Sequence, residues 1–350
     1  MSAPLRISVL DQSPITQGST GADALHNTID LARLAETAGF HRYWVAEHHG
    51  GGLVAGPSPE ALIGPIAAAT SEIRVGSGGV MLPHYSPFKV AETFSLLAGL
   101  FPGRIDLALG RAAGTDPLTT FALQRDRRQG APDDFPQQLG ELLAYLEDRM
   151  PPEHPFAHLS RALPGLPYAP EPWLLGSSSQ SALWAAELGL PYAFADFINP
   201  HGGPIAASYR ERFVDSHRLE TPVVAVGVWA LAADSREEAE YLAASSRWAF
   251  VKLRRGELIP VPPPQEAVDA LEAERRAGTL SVPRRRTVLG TGEQVRAELE
   301  KVAAEYGAQE LIVVTITHDH AHRRRSYELL AEAFELEPRE APAAVGGLAR

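Results

Sequence analysis

The chain has 350 residues, 45% of them hydrophobic and 21% charged, and no cysteine. That composition is ordinary for a globular enzyme with a large core, and the missing cysteines exclude disulfides and thiolate chemistry. The formal net charge of −11 argues against broad nucleic-acid binding, which needs a basic face to neutralise phosphates.

Residues 1–12 are too short and wrongly flanked for a signal peptide, and no apolar run reaches the roughly 18 residues of a membrane span. A cytoplasmic protein without membrane contact is expected. The basic triplets Arg284-Arg285-Arg286 and Arg323-Arg324-Arg325 read as solvated faces on an acidic protein.

In chain order, residues 6–10 read as a first strand, followed by a helix over 23–38 that stops at Gly39. Residues 42–46 form a second strand running into Glu47-His48-His49-Gly50. Residues 73–82 form a third, closed by Pro83, and a helix over 88–100 puts Phe94, Leu97 and Phe101 on one face. Strand four, 105–109, runs into Gly110-Arg111, and a helix follows over 135–146. Strand five is 172–175, with a helix over 180–188. Strands six, seven and eight are 192–197, 223–231 and 310–317, with a last helix over 324–334. This βα rhythm, and apolar strands such as Leu311-Ile312-Val313-Val314, predict a closed (β/α)8 TIM barrel, of class α/β. The barrel spans residues 1–335, with insertions at 151–170 before strand five and at 248–286 between strands seven and eight. Loops of that length are commonly functional. Residues 336–350 read as a mobile tail.

The sequence has no G-x-G-x-x-G after a strand, no P-loop and no nucleophile elbow, which argues against dinucleotide and P-loop chemistry. The unusual residues instead cluster at the C-terminal ends of strands, where barrel enzymes build their sites. Gly176-Ser177-Ser178-Ser179-Gln180-Ser181 joins a strand to a helix. Its free N–H groups, the hydroxyls of Ser178 and Ser181, and a bidentate clamp from Arg111 suit a phosphate; plain serine capping explains the same residues equally well. His48 at the end of strand two reads as a proton donor and acceptor, or as a structural histidine. Neither His48-His49 nor His318-Asp319-His320-Ala321-His322 offers the convergent ligands of a metal site, because neighbouring strand residues point to opposite faces. No metal is expected. Gly78-Gly79 inside a strand signals a bulge or the close approach of a ligand.

Four stretches together resemble the bacterial luciferase-like flavin-dependent monooxygenase family: Trp44 through His49, Val75 through Pro83, Gly103 through Arg111, and Gly176 through Ser181 continuing into 185–191. Gly290 through Val295 is similar to that family's C-terminal segment. The resemblance implies an FMN-dependent oxidoreductase, specifically a monooxygenase. Reduced FMN from a separate flavin reductase would react with O2 to give a flavin C4a-hydroperoxide that oxidises a small organic substrate. The alternatives are an F420-dependent oxidoreductase on the same barrel and a non-catalytic flavin-binding protein. By the same resemblance His48 is the active-site histidine, and Gly78-Gly79 carries a non-prolyl cis peptide beneath the flavin ring. Arg111, Ser178 and Ser181 hold the FMN phosphate, with the backbone of Gly176 and Ser177 alongside. A homodimer is the expected assembly. The look-alikes are single-chain relatives of the light-emitting subunits, so light emission is not expected. The substrate would be set by the insertions at 151–170 and 248–286.

Overall fold

Alternate residues along a parallel strand face opposite sides, and that period sorts this sequence into a barrel lining and an outer core. A computed structural model describes residues 4–124, 127–128, 130, 133–281 and 286–340. Its strands are β1 (Arg6–Asp11), β2 (Arg42–Val45), β3 (Arg74–Met81), β4 (Ile105–Gly110), β5 (Glu171–Gly176), β6 (Tyr192–Ala195), β7 (Val224–Ala232), β8 (Thr287–Gly290) and β9 (Glu310–Val314). Strands β1 to β7 pair in sequence order, and β9 pairs with both β7 and β1. The closed ring therefore has eight parallel strands. β8 stands outside it, paired only with Trp229–Ala232 at the far end of β7.

The helices are α1 (Gly21–Thr37), α2 (Pro59–Ala68), α3 (Pro87–Leu100), α4 (Pro117–Leu123), α5 (Phe135–Leu146), α6 (Ala157–Ser160), α7 (Ser179–Glu187), α8 (Gly203–Arg212), α9 (Arg236–Arg254), α10 (Pro264–Ala277), α11 (Gly292–Tyr306) and α12 (His320–Ala333). Local chemistry starts several of them. Thr20 with Asp23 and Thr291 with Gln294 form reciprocal capping boxes on α1 and α11. Proline at the first turn opens α2, α3 and α10, where its missing N–H costs nothing. The outer core packs these helices on the outward side chains of the strands, among them Val9, Tyr43, Val75, Leu107, Leu174 and Val313.

Inside the ring, the N-terminal ends of the strands carry an ionic plug. Asp106 is fully buried, and it accepts hydrogen bonds from Arg42 (2.8 Å) and the Trp44 indole (2.9 Å) on one oxygen and from Arg74 (2.9 Å) on the other. Arg42 also reaches Glu310 at 2.8 Å, and Ser8 donates to the same Glu310 oxygen. Above the plug, Leu10, Trp44, Ala108, Trp173, Ala193 and Ile312 fill the lumen. Two residues further along β2, β3, β6 and β7 the inward positions shrink to Ala46, Gly78, Ala195 and Gly227. The lumen is thus sealed below and open above, with a floor of small side chains.

Three expectations are amended. The insertion at 248–286 is not a long loop: it completes α9, adds α10 and leads to β8, a four-residue strand too short to stand out in the sequence. Arg323 is not on a solvated face. It is 2% exposed and paired with the buried Asp11, while its neighbours Arg324 and Arg325 bind Asp30 and Asp234. The other triplet has only Arg286 within the described residues, where it pairs with Glu305 and Asp196. In the C-terminal tail, 341–350 lie outside the described residues, but Arg339 donates from its backbone to Thr37 and from its guanidinium to Phe40. That anchors the chain against the end of α1 at least to this point. No helix among the described residues is long and apolar enough to cross a membrane.

Candidate active site

Loops that follow β1, β2 and α9 are stitched together over the open end of the barrel by backbone hydrogen bonds. Ile15 donates to Leu53, Ala55 to Ser13, Gln17 to Val261, and Val261 back to Ile15. Beneath this rim lies a cavity of about 370 Å³, lined by His48 and His49 and by apolar side chains including Phe197, Trp229, Phe250 and Ile316. Trp229 of β7 and Phe197, just past the end of β6, pack against the lumen cluster, so the cavity sits directly on the lumen.

His48 follows β2 as the strand ends. Its Nδ1 lies 3.2 Å from the carbonyl oxygen of Gly114. A carbonyl only accepts, so Nδ1 carries the proton and Nε2 keeps its lone pair. Burial lowers the pKa of His48 below its ordinary 6.5, against smaller upward pulls from the Gly114 carbonyl and Glu47. The ring is therefore neutral at pH 7 and able to take a proton.

His49 corrects the sequence reading. Strand alternation was expected to turn it away from His48, yet both line the cavity, because β2 ends at Val45 and the pleat no longer governs residues 46–49. His49 Nε2 is 2.8 Å from the fully buried Glu47 carboxylate, which also accepts from the Tyr85 hydroxyl (3.0 Å) and the Met81 backbone N–H (2.8 Å). Burial pushes the Tyr85 hydroxyl well above its ordinary 10, helped by Glu47 and Glu60. His84 stands against His49 edge-to-face, with ring centroids 5.5 Å apart. Glu47, His49 and His84 thus bring potential ligand atoms within 4.8 Å of one another, a cluster the sequence did not reveal because it joins two loops. Each already has a protein partner: the contacts above occupy Glu47 and His49, and His84 Nε2 meets the Ala113 carbonyl at 2.8 Å. His318 and His320 do not converge on it; they bond to the Gln17 carbonyl and to Asp30.

The Gly78–Gly79 peptide bond is cis, and the register against β4 shifts between Gly78 and Val80. Neither position has room for a side chain. A Cβ on Gly78 would come within 2.6 Å of Leu10, and one on Gly79 within 2.4 Å of Leu175 and 2.6 Å of the Ala108 carbonyl.

Arg111, Gly176, Ser177, Ser178 and Ser181 do not line the mouth cavity. They form a second group where β4 and β5 end. Ser178 caps α7 and accepts from the Ser181 N–H at 3.3 Å. Ser181 is 7% exposed, and its hydroxyl donates to the Ser178 carbonyl and contacts the Tyr192 hydroxyl at 2.9 Å. Capping thus occupies the Ser178 hydroxyl and the Ser181 hydroxyl is turned inward, whereas Ser178, Ser179 and Gln180 at the start of α7 are exposed. Asn199 anchors the loop through the Ser177 carbonyl (3.1 Å). Gly176 is required here, since a Cβ would lie 2.0 Å from the Ser181 hydroxyl. Arg111 leans on this same helix: its guanidinium carbon is 5.5 Å from the centre of the Trp184 ring. It makes no ion pair among the described residues.

Of the two insertions expected to shape the cavity, only one does. Phe250, Leu253, Gly256, Leu258 and Val261 line it, and no residue of 151–170 does. The reason is topological: a segment that precedes a strand lies at the N-terminal end of the barrel. There Gly165 is clamped on α3, where a Cβ would come within 2 Å of the Ser95 carbonyl.

A family model described as luciferase-like monooxygenase matches residues 5–310. An Escherichia coli K12 protein named luciferase-like monooxygenase is 42% identical over 332 residues, covering 95% of this chain and 97% of its own. An N-acetyl-S-alkylcysteine monooxygenase of Bacillus subtilis is 39% identical over 337 residues, covering 94% and 98%. The crystal structure of apo-MsnO8 superposes with a TM-score of 0.86 at 42% identity, covering 96% of this chain and all of that one. More distant structures share the fold alone. One is an FMN complex of the oxygenating constituent of 3,6-diketocamphane monooxygenase from Pseudomonas putida (TM-score 0.71, 19% identity, covering 97% of this chain and 100% of that one), and another is an F420-dependent secondary alcohol dehydrogenase (0.64, 16%, 95% and 99%). The chain belongs to the luciferase-like monooxygenase family.

Proposed function

We propose that the protein is an FMN-dependent monooxygenase acting with O2 on a small organic substrate. The observation that carries this is the pairing of two separate features at the barrel mouth. One is the largely apolar cavity over the lumen, lined by the neutral His48. The other is the outward-facing first turn of α7 with Arg111 stacked beside it. A flat ring with a phosphorylated side chain needs both. The residues fit FMN: α7 offers backbone N–H groups and the positive end of its dipole to a phosphate, and Arg111 stands beside that helix with no ion pair among the described residues.

Reduced FMN, when bound, would supply the electrons with which O2 oxidises the substrate. The chain's own contribution is positioning and proton handling. Arg111, Ser178 and the α7 N–H groups hold the phosphate, and Ser181 holds Ser178. His48 exchanges a proton at Nε2 while the Gly114 carbonyl keeps its other nitrogen protonated. The stitched rim and the apolar wall keep water away from the reacting atoms. With no nicotinamide motif in the sequence, reduced flavin comes from a separate reductase in this scheme.

Titration of the purified protein with FMN, riboflavin and F420 tests the proposal. FMN is expected to bind far more tightly than the other two. Preference for F420 would move the protein to the deazaflavin branch, and equal binding of FMN and riboflavin would remove the phosphate site.

A further inference from the structure

A second cavity, of about 420 Å³, lies between α9, α10 and β8. Among the described residues its charged lining consists of two arginines, Arg247 on α9 and Arg275 on α10, both exposed, and includes no acidic side chain. The rest is largely apolar, including Leu271, Leu280 and Leu289. Among the described residues neither arginine makes an ion pair or a side-chain hydrogen bond, whereas several basic neighbours on or beside these helices do. Arg255 pairs with Glu274, Arg276 with Glu272, Arg236 with Glu240, and Lys252 with Glu257. On a chain with a formal charge of −11, acids are plentiful, yet among the described residues none joins these two arginines in the lining of the cavity. Trp229, Ser246 and Phe250 line this cavity and the mouth cavity alike, so the two spaces share a wall.

We infer that this second cavity receives the carboxylate end of the substrate, and that the substrate is an organic acid with an apolar stem directed toward the mouth. A guanidinium presents a planar fork of donors matched to a carboxylate. Two of them on facing helices, above leucine side chains, select an anion that carries hydrocarbon. The inference rests on the oxygenase function proposed above, for which it names the substrate class. The arginines are positioning residues: they fix which carbon of the stem lies at the mouth, and they touch none of the reacting atoms.

The test is calorimetric titration of flavin-free protein with hexanoate, hexanol and inorganic phosphate, with FMN titrated separately into the same preparation. Hexanoate is expected to bind at least roughly tenfold more tightly than hexanol, the order for one or two part-exposed charge-assisted contacts. The preference should shrink as salt is added. The double variant Arg247→Met, Arg275→Met keeps the apolar stems and should lose the preference, with FMN affinity and melting temperature unchanged. Equal binding of hexanoate and hexanol, or an unaltered preference in the double variant, overturns the assignment. So does phosphate binding as tightly as hexanoate, since the cavity would then read charge without a stem. The FMN titration separates the two claims. Hexanoate preference without FMN binding leaves the anion site standing and removes the flavin function, and FMN binding without hexanoate preference does the reverse.

Discussion

His48 donates from Nδ1 to the carbonyl oxygen of Gly114 across 3.2 Å, and that bond decides what the ring offers to chemistry. With Nδ1 committed, Nε2 is the basic nitrogen, and burial keeps it unprotonated at neutral pH. A general acid–base group contributes about 10²–10⁴-fold in rate. His48→Ala is expected to cut oxygen transfer by that order while leaving FMN affinity nearly unchanged. His49→Ala should cost less, because His49 Nε2 is tied to Glu47. Steady-state rates and product yields for the two variants decide it; a fully active His48→Ala ends the catalytic assignment.

The lowered pKa gives that assignment a pH signature. The active form is neutral His48, and its folded pKa lies below 6.5. Activity should therefore stay level as pH falls from 8 through the ordinary histidine range, and decline only at lower pH as Nε2 protonates. The same sign applies to stability. Below pH 6.5 the unfolded chain binds a proton that the folded His48 does not, so folding weakens as pH falls through that window. A kcat/KM profile should lose this acid limb in His48→Ala.

Arg111→Ala should weaken FMN binding by about 1.5–3 kcal/mol, the range for a charge-assisted hydrogen bond. The lower end is expected, because Arg111 is exposed and water screens it. Riboflavin affinity should not change. Parallel fluorescence titrations of both flavins show whether the loss is confined to the phosphate.

The ionic plug predicts a stability effect far from the site. Asp106→Asn keeps the shape but leaves the buried Arg42 and the half-buried Arg74 with less opposing charge. Breaking a buried pair in this way costs about 3–5 kcal/mol. Urea denaturation should show the loss, and FMN affinity under native conditions should not. A shift below about 1 kcal/mol would mean that the remaining carboxylates, Glu310 at 2.8 Å from Arg42 and Glu171 at 2.8 Å from Arg74, suffice to hold both arginines.

Elemental analysis of the pure protein checks the Glu47, His49 and His84 cluster. Every one of the three is already hydrogen-bonded within the protein, so less than one equivalent of zinc, iron or manganese is expected. One full equivalent, lost on His84→Ala, would make the cluster a metal site.

The sequence by itself determined the barrel, because short, near-continuous apolar strands alternate with helices along the chain. It also determined that His48 stands where β2 ends, that Gly78-Gly79 interrupts β3, and that Ser178 begins a helix after β5. These are local facts, written in neighbouring residues. Only the tertiary structure decided the rest. Arg323 looked like part of a solvated triplet until Asp11, more than 300 positions away, appeared as its buried partner. His49 faces the cavity because the strand has already ended, and the buried Ser181 is held by the Ser178 carbonyl and the Tyr192 hydroxyl. The Glu47 cluster joins the loops after β2 and β3, and Arg247 meets Arg275 only because α10 folds back on α9. Periodicity records which face of an element is buried, whereas the partner on that face is fixed by packing between segments distant in the chain, and no local pattern encodes it.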